Sequence, residues 1–308
     1  MNILITGGAG FIGSHIADKY IEAGHTVIAV DNLSHGDAQN VNKRCIFYKD
    51  DISGNIDYIF KENKIDVINH HAAQIDLRLS QRNPIIDIKT NIKAGVNLLN
   101  AAVKHNVKKI IFASSGGAVY GEQKVFPAGE NHITEPLSPY GINKLTFEYY
   151  LKFYKNYHGL DYVILRYANA YGPRQSLKGE GGVVSVFVKK ILKGDVPVIN
   201  GSGNNTRDYV FVDDIAGANL CALNYNDSGI FNIATGKETS VNELFEMISK
   251  CSEKPVPEKH GEEIKGEQMR SVLDSSKAKS ELKWEAKTGI QDGIKITFDW
   301  FKENIRRK

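Results

Sequence analysis

Tyr140 and Lys144 stand four residues apart in the stretch Ser138-Pro139-Tyr140-Gly141-Ile142-Asn143-Lys144. Pro139 suits the first position of a helix, where its missing N–H costs nothing. The run from Lys144 to Tyr157 continues as a helix, so the two side chains share one face. A phenol beside an ammonium can act as a general base. The cation favours the phenolate and lowers a pKa that is about 10 in the free group. The same spacing is common on solvated helix faces, and a near-copy occurs at Tyr120-Gly121-Glu122-Gln123-Lys124. Spacing alone does not separate chemistry from decoration. The elements around each tyrosine must.

Those elements begin at Asn2–Thr6, a short apolar strand running into Gly7-Gly8-Ala9-Gly10-Phe11-Ile12-Gly13. A helix follows with Ile12, Ile16 and Tyr20 on one face, then a second strand, Thr26–Val30, ending at Asp31. Small residues at a strand-to-helix turn let the backbone approach a pyrophosphate, and the helix start offers unpaired N–H groups. Asp31 can accept from ribose hydroxyls and would repel a 2′-phosphate, which points to NAD rather than NADP. The spacing is G-x-x-G-x-x-G, not the more familiar G-x-G-x-x-G.

The alternation continues. Strands are predicted at about Cys45–Tyr48, Asp66–His70, Lys109–Ala113 and Tyr162–Arg166, and helices at about Ile56–Lys64, Ile85–His105 and Lys144–Tyr157. Nearly continuous apolar strands alternating with helices predict an α/β fold, a doubly wound, Rossmann-like parallel sheet. After Arg166 the rhythm breaks into a loop-rich stretch. There a helix is predicted at Val183–Lys193, strands at Val196–Ile199, Tyr209–Val212 and Ile230–Ile233, and a helix at Ile215–Leu223. Helices at Val241–Ser249, Ser276–Leu282 and Ile290–Phe301 complete a smaller, mixed α/β substrate-binding domain. The expected division is 1–166 plus about 206–233 for the NAD-binding domain, and about 167–205 plus 234–308 for the other.

Composition narrows the class. The 308 residues carry 42% hydrophobic and 24% charged side chains, as an ordinary globular protein does. A net charge of +3 gives no basic surface for nucleic acid. The tail Arg306-Arg307-Lys308 reads as a solvated helix end. Cys45, Cys221 and Cys251 are widely spaced and odd in number, so neither a disulfide frame nor a metal site is expected. No apolar run is long enough to cross a bilayer. With no leader ahead of the first strand, a cytoplasmic location is expected.

Over nearly its whole length the chain resembles the extended short-chain dehydrogenases/reductases, and among them UDP-glucose 4-epimerases of the compact prokaryotic type. The matching segments are Thr6–His15, Asp31-Asn32-Leu33, Asp51-Ile52, His71-Ala72-Ala73-Gln74 and Ser114–Gly121. Ser138–Gly141 with Lys144, Arg166–Arg174 and Arg207-Asp208-Tyr209-Val210 follow in the same order. The resemblance implies NAD held by Gly7, Gly10, Phe11, Ile12, Asp31 and Asn32. Asp51 and Ile52 would hold the adenine. Ala72, Ala73 and Gln74 would line the pyrophosphate and nicotinamide side, with Asn91, Ser114, Tyr140, Lys144 and Tyr167 nearby. It also assigns Tyr120 to a Val-Tyr-Gly motif in a turn, away from Lys124.

The implied chemistry is inversion at C4 of a UDP-hexose, UDP-glucose to UDP-galactose and back. Tyr140 takes the proton of the 4-hydroxyl while C4 gives its hydride to NAD. The 4-keto sugar rotates, and the hydride returns to the other face. No net redox results, so NAD should stay bound. Lys144 and a strand-end hydroxyl complete the catalytic group. Counting back from Val119-Tyr120-Gly121 places Gly116 where many relatives carry Ser or Thr, whereas counting back from Tyr140 lands on Ser115. Ser115 is the choice, and Ser114 the alternative. For the substrate, the expected contacts are Ser115, Tyr140, Asn169, Val183, Val184, Arg207, Glu267 and Arg270. Ile264-Lys265-Gly266 stands where a second diphosphate arginine is usual, so Lys265 or Arg270 would have to replace it. The small Ser271 aligns with a position whose bulk limits the sugar's 2-substituent. Epimerisation of UDP-N-acetylglucosamine or UDP-glucuronate is the alternative activity, and a non-catalytic NAD-binding regulator a more distant one. Relatives commonly form homodimers through the Tyr–Lys helix, and the run Phe147, Tyr149, Tyr150, Phe153 and Tyr154 fits that face or the core.

Overall fold

The computed structural model describes residues 1–176, 182–263 and 268–305. The expected sites at Ile264, Lys265 and Glu267, and the basic tail Arg306–Lys308, lie outside the described residues. At its centre is a parallel sheet of seven strands. Six of them are β1 (Asn2–Thr6), β2 (Thr26–Val30), β3 (Ile46–Tyr48), β4 (Val67–His70), β5 (Lys109–Ser115) and β6 (Asp161–Tyr167). The seventh is Gly229–Ile233, and the order across the sheet is Gly229–Ile233, β6, β5, β4, β1, β2, β3. The order reverses between β1 and β4. At such a switch point the loops leave in opposite directions and open a crevice at the carboxyl ends of the strands.

Ile3, Ile5, Val27, Ile28, Ile68, Ile110, Ile111, Val163, Ile164 and Leu165 are all completely or almost completely buried. Both faces of the sheet are covered, which is why these strands are apolar without alternation. On one face lie α1 (Phe11–Glu22) and the helix Val212–Leu223, closing a core around Tyr20, Tyr120 and Trp284. On the other lie α2 (Asp57–Glu62), α5 (Ala94–Lys104) and α7 (Pro139–His158), with Phe60, Leu98, Phe112 and Phe147 between them. A third cluster joins the helices Val183–Lys193, Val241–Lys250 and Ile290–Ile305 around Phe187, Phe245, Ile294 and Phe298. Small two- and three-stranded sheets accompany it, one pairing Thr206–Arg207 with Thr239–Ser240 and Arg270–Ser271.

The long helix expected over Ile85–His105 forms without a break over Pro84–Lys104, with a π turn inside it and a separate short helix ahead of it. Asp76 caps α3 (Leu77–Arg82), and Asn83 caps α4 (Pro84–Ile88) through the Ile86 N–H, with Pro84 as first residue. Lys89–Lys93 then makes a π turn before α5. The polar segment Asp76–Asn83 carried a second helix start that apolar periodicity alone did not show. The predicted strand Val196–Ile199 is reduced to Ile199–Asn200, whereas the predicted helix Ser276–Leu282 forms, its last five residues, Ala278–Leu282, as a π turn. The short helix α6 (Gly116–Val119) follows β5, where the sequence indicated a turn.

Helix α7 begins as Pro139 indicates. The Ser138 side chain accepts from the Gly141 N–H at 3.1 Å, and Gly159 ends the helix at φ 72°. Its inner face is pinned by charge as well as packing. Glu148 accepts from Arg166 Nε at 3.0 Å and from Nη2 at 2.6 Å, and both residues are buried. Arg166 Nη1 donates to the Tyr120 hydroxyl at 3.0 Å, and that hydroxyl donates to Asn232 Oδ1 at 2.7 Å. Tyr120 is thus fully buried in a structural network, and Lys124 pairs with Glu135 instead. Removing the cation alone strands a buried carboxylate. Arg166→Met should lower stability by about 3–5 kcal/mol in urea titration, and adding Glu148→Leu should restore most of the loss.

Candidate functional site

The glycine turn sits in the crevice between β1 and β4. Gly7 has φ +72°, and a Cβ there would fall 2.8 Å from the Ala72 backbone nitrogen. A Cβ on Gly13 would meet the Gly7 carbonyl oxygen at 2.3 Å. The turn after β1 and the His71–Gln74 segment after β4 therefore touch through backbone alone. Thr6 ties them, its hydroxyl accepting from the Ala72 N–H at 3.1 Å and meeting His70 Nδ1 at 2.7 Å. Helix α1 starts at Gly10 with no side-chain cap and no acidic residue in its first turn, so Phe11 and Ile12 head a helix whose N–H groups suit an anion. Asp31, at the end of β2, accepts from the Ala9 N–H at 3.1 Å and the Leu33 N–H at 2.8 Å. Asn32 donates to Asp51 at 2.8 Å, and Ile52 is buried behind them. These residues fit a dinucleotide: a side-chain-free cradle, an N-terminal dipole and a carboxylate at one crevice.

The crevice continues to the reactive pair. Gln74 and Asn91 bond each other, the Gln74 N–H donating to Asn91 Oδ1 at 2.8 Å and the Asn91 amide to the Gln74 carbonyl at 2.9 Å. Tyr167 ends β6 beside Ser115, its hydroxyl 3.1 Å from His71 Nε2 and accepting from Asn219 at 2.8 Å. Ala73 is half-buried in the same segment. Lys144 is buried, and its ammonium donates to the Ala113 carbonyl at 2.8 Å. It also lies 4.8 Å from the Phe112 ring centroid and 5.7 Å from that of Tyr140. The Ser115 side chain is near enough to the Tyr140 phenol to favour its ionised form. Ser114 is buried and turned the other way, donating to Glu148 at 2.5 Å. A side chain on Gly116 is excluded unless Leu273 moves, because its Cβ would come within 2.3 Å of Leu273 Cδ1.

The pair's electrostatics differ from the simple expectation. Desolvation pushes the Tyr140 phenol well above 10, and the charge of Asp87 pushes the same way, with Ser115 opposing. Burial pulls Lys144 down to about 8, with Asp87 and then Glu148 resisting. The lysine therefore titrates before the tyrosine, the reverse of the nearly equal free groups. Asp87 and Glu148 were not picked from the sequence. Their signal was present as helical spacing: Tyr140, Lys144 and Glu148 follow at intervals of four, as do Asp87 and Asn91.

A cavity of about 250 Å³ opens in the smaller lobe, and Asn169, Val183, Val184 and Arg207 all line it, together with Phe187 and Asn200. The helix Val183–Lys193 starts there at Gly182 with no side-chain cap. Asn169 donates to the Asp208 carbonyl at 3.3 Å, and its Oδ1 lies 4.0 Å from the position of a Cβ on Gly117. It thereby joins the cavity to the end of β5. Arg270 is not brought there. Its guanidinium donates to Glu238 at 2.9 and 2.7 Å and stacks 3.9 Å from the Phe126 ring centroid. The physical reason is strand alternation: Arg270 and Ser271 leave their strand on opposite faces, and it is Ser271 that pairs with Arg207.

A Rossmann crevice beside a Tyr–Lys pair at the strand ends defines a protein of the extended short-chain dehydrogenase/reductase kind. Residues 3–234 match the NAD dependent epimerase/dehydratase family, and the chain belongs to that family. A UDP-glucose 4-epimerase from Thermotoga maritima, solved with UDP-glucose, is 46% identical, with a TM-score of 0.95 over 99% of this chain and 100% of that one. A UDP-glucose 4-epimerase from Thermus thermophilus, solved with NAD, is 37% identical, with a TM-score of 0.94 over 99% and 100%. A UDP-N-acetylglucosamine 4-epimerase from Methanobrevibacter ruminantium is 35% identical, with a TM-score of 0.93 over 100% and 99%. Gly7→Ala tests the cradle. It forces a side chain into a left-handed conformation, at a cost of about 1–2 kcal/mol before any clash. The variant should purify with markedly less NAD, read by absorbance after acid release.

Proposed function

We propose that the chain is an NAD-dependent 4-epimerase of UDP-hexoses, interconverting UDP-glucose and UDP-galactose. The observation that carries this reading is the Ser115–Tyr140–Lys144 group at the end of β5, joined through Asn169 to a cavity bearing Arg207. NAD, when bound, supplies a reversible hydride acceptor for C4. Tyr140 rests as a neutral phenol and first gives up its own proton to solvent; as a phenolate beside the Lys144 charge it takes the proton of the sugar 4-hydroxyl and gives it back after the 4-keto sugar has turned over. Ser115 orients the phenol and the reacting oxygen. Lys144 contributes positive charge to the phenolate and a donor to the ribose beside it. Arg207 suits a diphosphate by its fork geometry, with the N–H groups of Val183 and Val184 in support. The NAD-binding unit comprises 1–166 plus about 206–233, and the remainder holds the nucleotide sugar.

Tyr140→Phe should keep bound NAD and lose about 10²–10⁴-fold in kcat, the usual worth of a positioned base. Separation of UDP-glucose from UDP-galactose after incubation reads this directly, and near-wild-type turnover would sink the mechanism. The charge on Lys144 is present below its pKa of about 8 and lost above it. The active pair, phenolate Tyr140 with charged Lys144, has one proton fewer than the resting pair, so kcat should rise with pH toward about 8 and level off there. Lys144→Met should lack this limb.

Ser271 favours a second substrate. It is small, buried and adjacent to Arg207, and so leaves room for a 2-N-acetyl group. The same product assay with UDP-N-acetylgalactosamine decides whether the site takes it. The working form is a cytoplasmic homodimer. On α7, Phe147 and Tyr154 are core, while Tyr149, Phe153 and Tyr157 are 59%, 53% and 74% exposed. Ile85, Ile86 and Ile88 of α4 are also exposed, and α4 packs against α7. An apolar face of this size suits a second copy. Among the described residues, no helix is long and apolar enough to cross a membrane. Phe153→Glu should convert the dimer to monomer in analytical ultracentrifugation.

A further inference from the structure

Asp87 has no part in the scheme above. It lies on α4, fully buried. Its Oδ1 accepts from the side-chain amides of Asn91 and Asn143, the latter at 3.3 Å, and Oδ2 is buried without a hydrogen bond. Asn91 belongs to the π turn and Asn143 to α7, directly before Lys144. Two amides do not offset the burial of a carboxylate; that takes a cation. The groups facing Lys144 are Tyr140 and Glu148 from α7, Asp87 from α4, and His70 and His71 from the end of β4. Burial holds both histidines neutral, His70 down to about 3. Tyr140 is neutral, and Glu148 is matched by the two-bond Arg166 pair. Asp87 is the remaining carboxylate, and the two charges favour each other reciprocally.

We propose that Asp87 is a positioning residue that keeps the Lys144 ammonium charged in its buried seat and ties α4, the π turn and α7 into one unit. The inference rests on the reading of Tyr140 and Lys144 as the reactive pair. It does not depend on which sugar is turned over. Desolvation acts against both buried charges, so loss of the carboxylate should release the proton of Lys144 at lower pH.

The test is the titration of Lys144, followed by its ¹⁵Nζ chemical shift in lysine-labelled enzyme purified with NAD and assigned through Lys144→Met. In Asp87→Asn the midpoint should fall by about one pH unit, the size expected from an opposite charge close by. The pH at which kcat levels off should fall with it. Asn143→Ala loses an amide but keeps the carboxylate, and should leave the midpoint in place. An unshifted midpoint in Asp87→Asn overturns the proposal, whatever happens to kcat or Tm. If that variant does not fold, Asp87→Ser, which leaves a hydroxyl for the amides, is read in the same way. A shifted midpoint with an unshifted rate limb supports the role of Asp87 and counts against Lys144 in catalysis.

Discussion

The Lys144 ammonium has been carried out of water and into the join between α7 and the sheet. Lys144 donates to the carbonyl of Ala113 inside β5 and rests over Phe112. Removing a charge from water is costly unless the site repays it with partners. Much of the surrounding structure serves that need. A backbone carbonyl, an aromatic face and carboxylates on two helices surround one lysine, and α7 must stay where it is for all of them to act together. The Glu148–Arg166 pair, one turn further along, fixes that helix to β6.

The same constraint bears on the π turn within the helix before β5. A continuous α-helix over Ile85–His105 would advance 100° per residue throughout. The π turn at Lys89–Lys93 adds a residue to one turn and changes which side chains face inward afterwards. It brings Asn91 onto Gln74 and Asp87, and leaves Leu98 and Leu99 directed into the core. The cofactor side of the crevice and the apolar side of α5 are thus satisfied by one chain segment that a regular helix would have set out of phase.

Much of this was legible beforehand. Strand after apolar strand, the glycine turn and Asp31 were enough for the parallel sheet and its crevice, because burial on both faces leaves a plain sequence pattern. Tyr120 and Tyr140 were separable by context, since one follows a strand end and the other a Ser-Pro helix start. The π turn was not legible, because one inserted residue leaves apolar periodicity nearly unchanged. Nor was the fate of Arg270, which depends on strand phase in a two-residue strand and on Glu238 from a distant loop. Asp87 was not singled out by any motif in the sequence. Only the packing of α4 against α7 turns it inward.

The choice of hydroxyl at the end of β5 shows how packing decides what counting cannot. Three successive small residues, Ser114, Ser115 and Gly116, compete for one role. Ile110, Phe112 and Ser114 alternate toward the α5–α7 face, so Ser114 is captured beneath α7 by Glu148. Gly116 lies under the side chain of Leu273, two residues beyond the strand that brings Ser271 beside Arg207, and that side chain fills the space of a Cβ. Ser115 is the last residue of β5 and the first not fully buried. It is the residue of the three that favours the ionised Tyr140 phenol. A Ser or Thr at 116 would require the Leu273 side chain to move aside. The lobe's close approach through Leu273 and Asn169 favours placing the hydroxyl one residue earlier.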